Sequence, residues 1–385
     1  MAKQKLLLVA DTYYPKVDGI LRFTEEFLKR ASSDFDISLL VPEFEQKKRP
    51  EKTHFIVPSK YLSLSGYPNM KLSFRNLRTI KESIKEADII FIQGPALISY
   101  LSMYYGKKYQ KKVVSYMHVI PWELFEKFVP LFTNKVLFHL IKKLAISFYN
   151  RCDEILVPYR DLSLELQKAG IRTKITVAGL GVDINLFSVP ANKVLAKKKI
   201  GLDPHVKVIG YVGRISKEKN TEVLLSAFKK LDHQSHLYLL LVGDGTPEQT
   251  AKFKELDNCR MTGFVTNVQD YLQAMDIFVM PSLTETTSLA SLEAMSTGLP
   301  IISTKVGFIK NYIVKDYNGV FFSKNNSTML SIKIQKLLDN KELAQRFGAN
   351  ARKTVAYSFS WERSINKIRR ILGGYASSWQ SGEES

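Results

Sequence analysis

Residues 276–305, "DIFVMPSLTETTSLASLEAMSTGLPIISTK", decide the fold of their part of the chain. Two short, unbroken apolar runs flank a stretch of helical length. Unbroken rather than alternating apolar character marks strands buried on both faces, hence a parallel sheet. Thr286, Thr287 and Ser288 are helix-capping residue types, so a helix follows the first strand. A strand–helix–strand unit of this kind puts Glu285 just past a strand end and Glu293 on the next helix. In open parallel sheets, ligands bind beyond the C-terminal strand ends, where helix N-termini converge. Both carboxylates therefore fall where a ligand is expected.

The same alternation runs along the whole chain. "KLLLVAD", "DISLLVP", "HFIVPS", "DIIFIQG", "VVSYMHV", "EILVP" and "KITVAG" read as strands, with helix-length segments between most of them. The pattern restarts after "NKVLAKKKIGLDPH" with "VKVIGYVG", "HLYLLLVG", "CRMTGF", "DIFVMPS", "PIISTK" and "GVFFS". Two doubly wound α/β domains in sequence, both Rossmann-like, is the economical reading. The 385 residues are too many for one ordinary core and suit two such domains. The expected division is an N-terminal domain over 1–185, a linker over 186–203 and a second domain over 204–360. A last helix (361–375) and a polar tail (376–385) follow. No repeat with a period of 20 to 50 residues is evident.

Composition narrows the class. Apolar residues make up 45% and charged residues 24%, so the chain is globular. The net charge of +19 is not a basic tail, because it divides into +10 for residues 1–190 and +9 for the rest. A field of this kind suits an anionic partner: nucleic acid, an anionic membrane surface or a phosphorylated substrate. Two cysteines, Cys152 and Cys259, make neither a disulfide framework nor a four-ligand zinc site. A reducing cytoplasm fits. "MAKQKLLLVADTYYP" reads as a first strand rather than a signal peptide. No run of ~18 apolar residues suggests a transmembrane helix.

In "VIGYVGRISKEKN", Gly213 ends a strand and lets a ligand approach the backbone. Arg214 follows it, and Lys219 opens the next helix. An Arg–Lys pair at a strand's C-terminal edge suits a phosphate clamp, although either cation alone reads equally as surface charge. Two carboxylates suggest glycoside hydrolysis, but that chemistry needs no cationic clamp. The pair of cations points instead to a diphosphate leaving group. Asp34 and Asp36 form a D-x-D in a turn before "ISLLVP", which reads as a solvated turn rather than a metal site. His233 and His236 lack a second ligand cluster. There is no G-x-x-x-x-G-K-[ST], and no G-x-G-x-x-G after the first strand, which argues against ATPase and nicotinamide-enzyme readings.

The stretches "GYVGRISKEKN", "LVGDG", "YLQAMDIFVMPS", "ETTSLASLEAMSTGLP" and "DYNGVFF" resemble the C-terminal domain of the retaining glycosyltransferases of family 4. "GVDINLF" resembles that family's interdomain segment, "FSWERS" its final helix and "DTYYPKVDGILRFTEEFLKR" its first strand–loop–helix. The likeness covers nearly the whole chain. It implies the GT-B fold: two Rossmann-like domains facing across a cleft, with the C-terminal helix crossing back to the N-terminal domain. Glu285 and Glu293 match the family's E-x7-E. By the resemblance, Arg214 and Lys219 hold the donor diphosphate, Glu293 the ribose hydroxyls and Glu285 a hydroxyl of the sugar. Gly213, Thr287, Ser288 and Leu289 belong to the same donor site. Gly19 lies in the first loop of the N-terminal domain, near the donor phosphates and acceptor. His118 matches a histidine near the transferred sugar. The implied activity is retaining hexosyl transfer with no metal and no cofactor, the nucleotide-sugar being a substrate, UDP- rather than GDP-linked. No nucleic-acid partner is implied.

Two departures bear on which sugar is moved. The family usually has glycine where this chain has Ser288. It often has a glycine pair and an acidic residue where this chain reads "VGFIKNYI", with Phe308 and Asn311.

The acceptor is read from the first half. "YPKVDGILR" and "MHVIPWELFEKF" look most like members that glycosylate membrane lipids such as diacylglycerol. Residues 131–149, "LFTNKVLFHLIKKLAISFY", place apolar residues at 136, 137, 140, 141, 144, 145 and 148, a helical stripe. Lys135, His139, Lys142 and Lys143 lie off that stripe. This is either a helix on an anionic membrane or one packed on the sheet with a wet basic face. Trp122, Phe125, Phe128 and Phe132 suit an acceptor mouth or plain core. The expected place is the cytoplasm, peripheral on the inner face of the cell membrane, in glycolipid biosynthesis. The alternatives are assembly of a surface polysaccharide or lipid-linked oligosaccharide, a nucleotide-sugar 2-epimerase, and a non-enzymatic sugar-nucleotide binder.

Overall fold

The computed structural model describes residues 3–14, 19–44, 51–64, 67–118, 120–122, 135–231 and 236–373. It comprises two compact units, residues 1–179 with 362–385, and residues 180–361.

The first unit contains β1 (Gln4–Val9), β2 (Phe35–Pro42), β3 (Thr53–Ile56), β4 (Pro58–Leu64), β5 (Tyr67–Met70), β6 (Ile89–Ile92), β7 (Lys112–Tyr116), β8 (Glu154–Val157) and β9 (Ile175–Val177). Seven of these form one sheet in the order β3-β2-β1-β6-β7-β8-β9, while β4 and β5 pair separately. Every pairing in the large sheet is parallel. Strand order reverses between β1 and β6. All four residues of β6 are buried, as an unbroken apolar strand requires, and β8 is buried too, with its leading Glu154 bonded to Lys174 and Thr176.

The second unit contains β10 (Lys207–Val212), β11 (Leu237–Val242), β12 (Cys259–Met261), β13 (Ile277–Met280), β14 (Ile301–Thr304) and β15 (Gly319–Phe322). They form a six-stranded sheet in the order β12-β11-β10-β13-β14-β15. All its pairings are parallel. Here the reversal falls between β10 and β13. Both sheets thus have the doubly wound form, and each has a topological switch point.

The final helix, Trp361–Leu372, joins the first unit from Glu362 onward. Ile365, Ile368 and Leu372 are fully buried. The Arg369 guanidinium pairs with the Asp34 carboxylate, and Lys112 Nζ donates to the Ile371 carbonyl at 2.6 Å. The solvated-turn reading of Asp34 is therefore wrong. Its side chain is mostly covered because the chain returns to it from residue 369. Asp36 pairs with Lys52 at 2.5 Å.

Two other expectations change. The segment read as a linker, 186–203, carries the helix Lys193–Lys199 within the second unit. Its Lys197 is buried, with Nζ 2.8 Å from Asp276. The basic segment does form a helix, Lys135–Tyr149. Ala145 and Phe148 are buried, but Leu140 and Leu144 are each 51% exposed. The outward face therefore carries leucine as well as lysine, not lysine alone.

Candidate active site

In the second unit, two loops leave adjacent strands at the switch point. Residues 213–220 follow β10, and residues 281–288 follow β13. One backbone and one side-chain hydrogen bond tie the loops together: Leu283 N–H donates to the Glu218 carbonyl at 3.0 Å, and Asn220 Nδ2 donates to the Pro281 carbonyl at 3.3 Å. This stitching brings Lys219 and Glu285 together across 66 residues of sequence. Lys219 Nζ lies 2.6 Å from Glu285 Oε1. Ser282 Oγ donates to the same oxygen at 2.7 Å. The carboxylate side chain is 9% exposed and the lysine 19%. Charge-assisted bonds in so dry a place fix the carboxylate's orientation.

Gly213 has φ 145, and a Cβ there would lie 2.6 Å from the Tyr211 hydroxyl. That hydroxyl donates to the Arg214 carbonyl at 2.7 Å. The Arg214 side chain is 49% exposed, 3.8 Å from Glu218. The structure pairs Arg214 with Glu218 rather than with Glu285.

Thr287, Ser288, Leu289 and Glu293 follow at the start of the helix Leu289–Ser296. Ser288 is its N-cap, with φ 60 and ψ 80. A left-handed backbone favours glycine, which gives a physical reason for the glycine that family 4 usually has here. The Ser288 hydroxyl offsets part of the strain by accepting from Ser291 N–H at 3.4 Å. Thr287 is buried and its Oγ1 has no partner. Glu293 is half-buried, one turn inside the helix. Behind this loop runs the "VGFIKNYI" segment. Gly307 leaves no room for a side chain against the Glu285 carbonyl. Phe308 N–H donates to the Thr286 carbonyl at 2.7 Å, and the Tyr312 hydroxyl donates to the Thr287 carbonyl at 2.7 Å. The departures from family 4 at 308 and 311 thus lie in a segment that supports the loop's backbone.

In the first unit, His118 lies two residues past β7 and is buried. Its ring packs on Tyr116, with centroids 4.5 Å apart, and edge-on to Phe23 at 5.1 Å. Burial lowers its pKa to about 3, so the imidazole is neutral at physiological pH. Its Nε2 is 3.0 Å from Gln93 Oε1. Gly19 opens the helix Gly19–Ala31. Trp122 is buried, so it is no exposed acceptor mouth. Lys142 Nζ lies 5.7 Å from the centre of its ring. Lys143 is exposed. Phe125, Phe128, Phe132, His233 and the side chain of Lys135 lie outside the described residues. Among the described residues, no group of three or more His, Cys, Asp or Glu is placed to hold a metal ion. No described helix is long and apolar enough to cross a membrane.

Sequence reasoning missed Ser282, Glu218 and Gln93. Gln93 was within reach, because a polar residue directly after "DIIFI" occupies the same kind of strand-end position that singled out His118.

Two doubly wound units, the second carrying this charged switch point, define the GT-B class. The chain matches Glycosyltransferase Family 4 over residues 17–186 and Glycosyl transferases group 1 over residues 193–354. It is 23% identical over 398 residues to an uncharacterized glycosyltransferase of Methanocaldococcus jannaschii, covering 97% of this chain and 99% of that protein. It is 27% identical over 209 residues to the lipopolysaccharide core biosynthesis mannosyltransferase LpsB of Rhizobium meliloti, covering 51% of this chain and 60% of that protein. The solved structure of Anabaena HepE in complex with UDP and glucose shares the fold. Its TM-score is 0.78 at 17% identity, over 97% of this chain and 100% of that one. The chain is a GT-B glycosyltransferase similar to family 4, built from a family 4 domain and a group 1 domain.

Proposed function

We propose that the protein transfers a hexose from a nucleotide-sugar to a hydroxyl of a membrane lipid, with retention at the anomeric carbon and without a metal. The observation that carries this reading is the Lys219–Glu285 pair held at the β10/β13 switch point. Lys219 and Arg214 take the diphosphate. The carboxylate accepts from a hydroxyl of the sugar and stabilises positive charge developing on its ring. Glu293 accepts from the ribose, while the backbone at Gly19, Gly213, Thr287, Ser288 and Leu289 lines the donor. His118, neutral, meets a hydroxyl of the transferred sugar. The acceptor oxygen bonds to the anomeric carbon on the face that the diphosphate leaves. The electron pair of the breaking C–O bond goes to the phosphate oxygen, which also takes the acceptor proton. HepE's complex with UDP supports a uridine donor.

The lipid acceptor is supported by the exposed Leu140 and Leu144 beside Lys143 and by the +19 charge, which together suit an anionic membrane surface. On this reading the enzyme is a peripheral protein on the cytoplasmic face of the membrane. A second reading, transfer to a cell-surface glycan, is favoured by the likeness to LpsB.

Steady-state kinetics test the assignment. Glu285→Gln lowers kcat, and Glu293→Gln raises the donor KM; each loss is worth roughly 1.5–3 kcal/mol. Near-wild-type kcat/KM in either variant removes that residue from the site. Sugar turnover seen by NMR without any acceptor moves the assignment to a 2-epimerase. Loss of activity on chelation, restored by magnesium or manganese, refutes the metal-free mechanism.

A further inference from the structure

The end of the first sheet holds buried polar groups that packing does not explain. Gln93 follows β6 directly, at the β1/β6 reversal, and its N–H donates to the Val9 carbonyl of β1 at 2.8 Å. It is fully buried. Its Oε1 meets His118, but its Nε2 has no partner. Thr12, three residues past β1, is also buried with its hydroxyl unpartnered. An amide nitrogen buried without a partner is costly to desolvate, so the Gln93 side chain sits where a further partner is missing. An amide oxygen can only accept. A bond from Gln93 Oε1 therefore requires the hydrogen on His118 Nε2, which leaves Nδ1 with a lone pair.

We propose that Gln93 is the positioning residue of His118: its side-chain oxygen holds the imidazole as the Nε2–H tautomer, leaving Nδ1 as the acceptor for a substrate hydroxyl. This rests on the placement of His118 beside the transferred sugar. The surroundings fit, because the ring packs on Tyr116 and Phe23 and no charged group contributes to its lowered pKa. A neutral ring has one donor and one acceptor, and Gln93 decides which nitrogen is which. With the opposite tautomer, the ring would present a donor where an acceptor is needed.

The test starts with the ligand-free full chain labelled with 15N-histidine. A long-range 1H–15N spectrum, with the His118 signal assigned by its loss in His118→Gln, reports the tautomer directly. The Nε2–H form is expected in the wild type, and a mixture in Gln93→Met, which keeps the side-chain volume but not the acceptor. In transfer assays Gln93→Met lowers kcat about tenfold and leaves the donor KM within about twofold. On a His118→Gln background the same change costs less than about twofold, because the group it positions is gone. An Nδ1–H tautomer in the wild type overturns the proposal, as do losses that multiply in the double variant. If no nucleotide-sugar is turned over, the broader reading fails on its own, and the spectrum still decides the role of Gln93.

Discussion

Replacing Glu285 by glutamine should tighten the binding of free UDP while it slows sugar transfer. Lys219 Nζ is 2.6 Å from Glu285 Oε1, and the pair is largely shielded from water. On the proposed assignment, an incoming diphosphate shares this lysine with the carboxylate and also approaches the carboxylate's own charge. Glutamine keeps an oxygen for Ser282 to donate to, but removes both the competition and the repulsion. Two unit charges a few ångströms apart near a protein surface interact by about 4 kcal/mol at an effective dielectric of 20. Solvent around the bound phosphates screens most of this repulsion, so we expect a net gain of about 1 kcal/mol, roughly fivefold in Kd. Lys219→Met should do the reverse and weaken UDP by at least tenfold. In the double variant only the relief of repulsion should remain, since there is no lysine left to release, so the gain from Glu285→Gln should be smaller. Isothermal titration of UDP into the four proteins measures all of this, and denaturant unfolding checks that each folds. Weaker UDP binding by Glu285→Gln, or the same gain with and without Lys219, would refute the idea that the two side chains compete.

Ser288 offers a stability test. The left-handed backbone costs a non-glycine residue about 1–2 kcal/mol; Ser288→Gly relieves it, giving up a few tenths for the cap and about 0.5–1 kcal/mol in unfolded-chain entropy. It should therefore be neutral to slightly stabilising, whereas Ser288→Ala keeps the strain, loses the cap and should cost about 1 kcal/mol; denaturant midpoints with Ala above Gly would show the strain is not there. Arg369→Ala should destabilise the first unit by about 2–3 kcal/mol, because it strands a mostly covered Asp34 carboxylate, and UDP affinity should be unchanged; an unaltered unfolding curve would make the pair incidental. The wild type should sediment with anionic vesicles at low salt and hardly with neutral ones. Changing Lys135, Lys142 and Lys143 to glutamate, or Leu140 and Leu144 to serine, should each reduce that binding, and indifference of the wild type to anionic vesicles would turn the assignment to a glycan acceptor.

The parallel sheets were legible because unbroken apolar runs have few other uses in a globular chain. The strands around "DIIFI", "DIFVM" and "PIIST" are buried where those runs fall. Other features depend on contacts that local pattern does not carry. β4 and β5 lie in "PSKYLSL" and "YPNM", which hold neither an apolar run nor a clear alternation. The lysine-rich "KVLAKKK" looks like a solvated linker, yet Lys197 is buried because Asp276, 79 residues away, neutralises it. Periodicity found the stripe on the helix Lys135–Tyr149 but could not say which part of it meets the protein. Only the tertiary packing exposes Leu140 and Leu144. In the second unit, strand-end logic located the lysine and the carboxylate separately. That they share one oxygen with Ser282 follows from how the two loops are stitched together, and no spacing in the sequence encodes it.

Each unit keeps some of its least stable choices past the strand ends that flank its order reversal. In the first, a glutamine nitrogen and a threonine hydroxyl are buried without partners. Gly94 leaves the room that the Asp11 carboxylate fills, since a Cβ there would overlap it. In the second, a cation and a carboxylate are held in a dry place, Thr287 Oγ1 is orphaned, and a serine stands at a positive φ. The strands behind these points are apolar and almost fully buried, and can carry such a burden. Unsatisfied groups cost about 1–3 kcal/mol each, a large share of the ~5–15 kcal/mol that holds a domain folded. Groups that make no productive contact until substrate arrives are the reasonable exception, because the substrate supplies the missing partner. The same argument separates these residues from Arg369 and Asp34. Those two are also covered and charged, but they satisfy each other within the folded chain and so need no ligand to account for them.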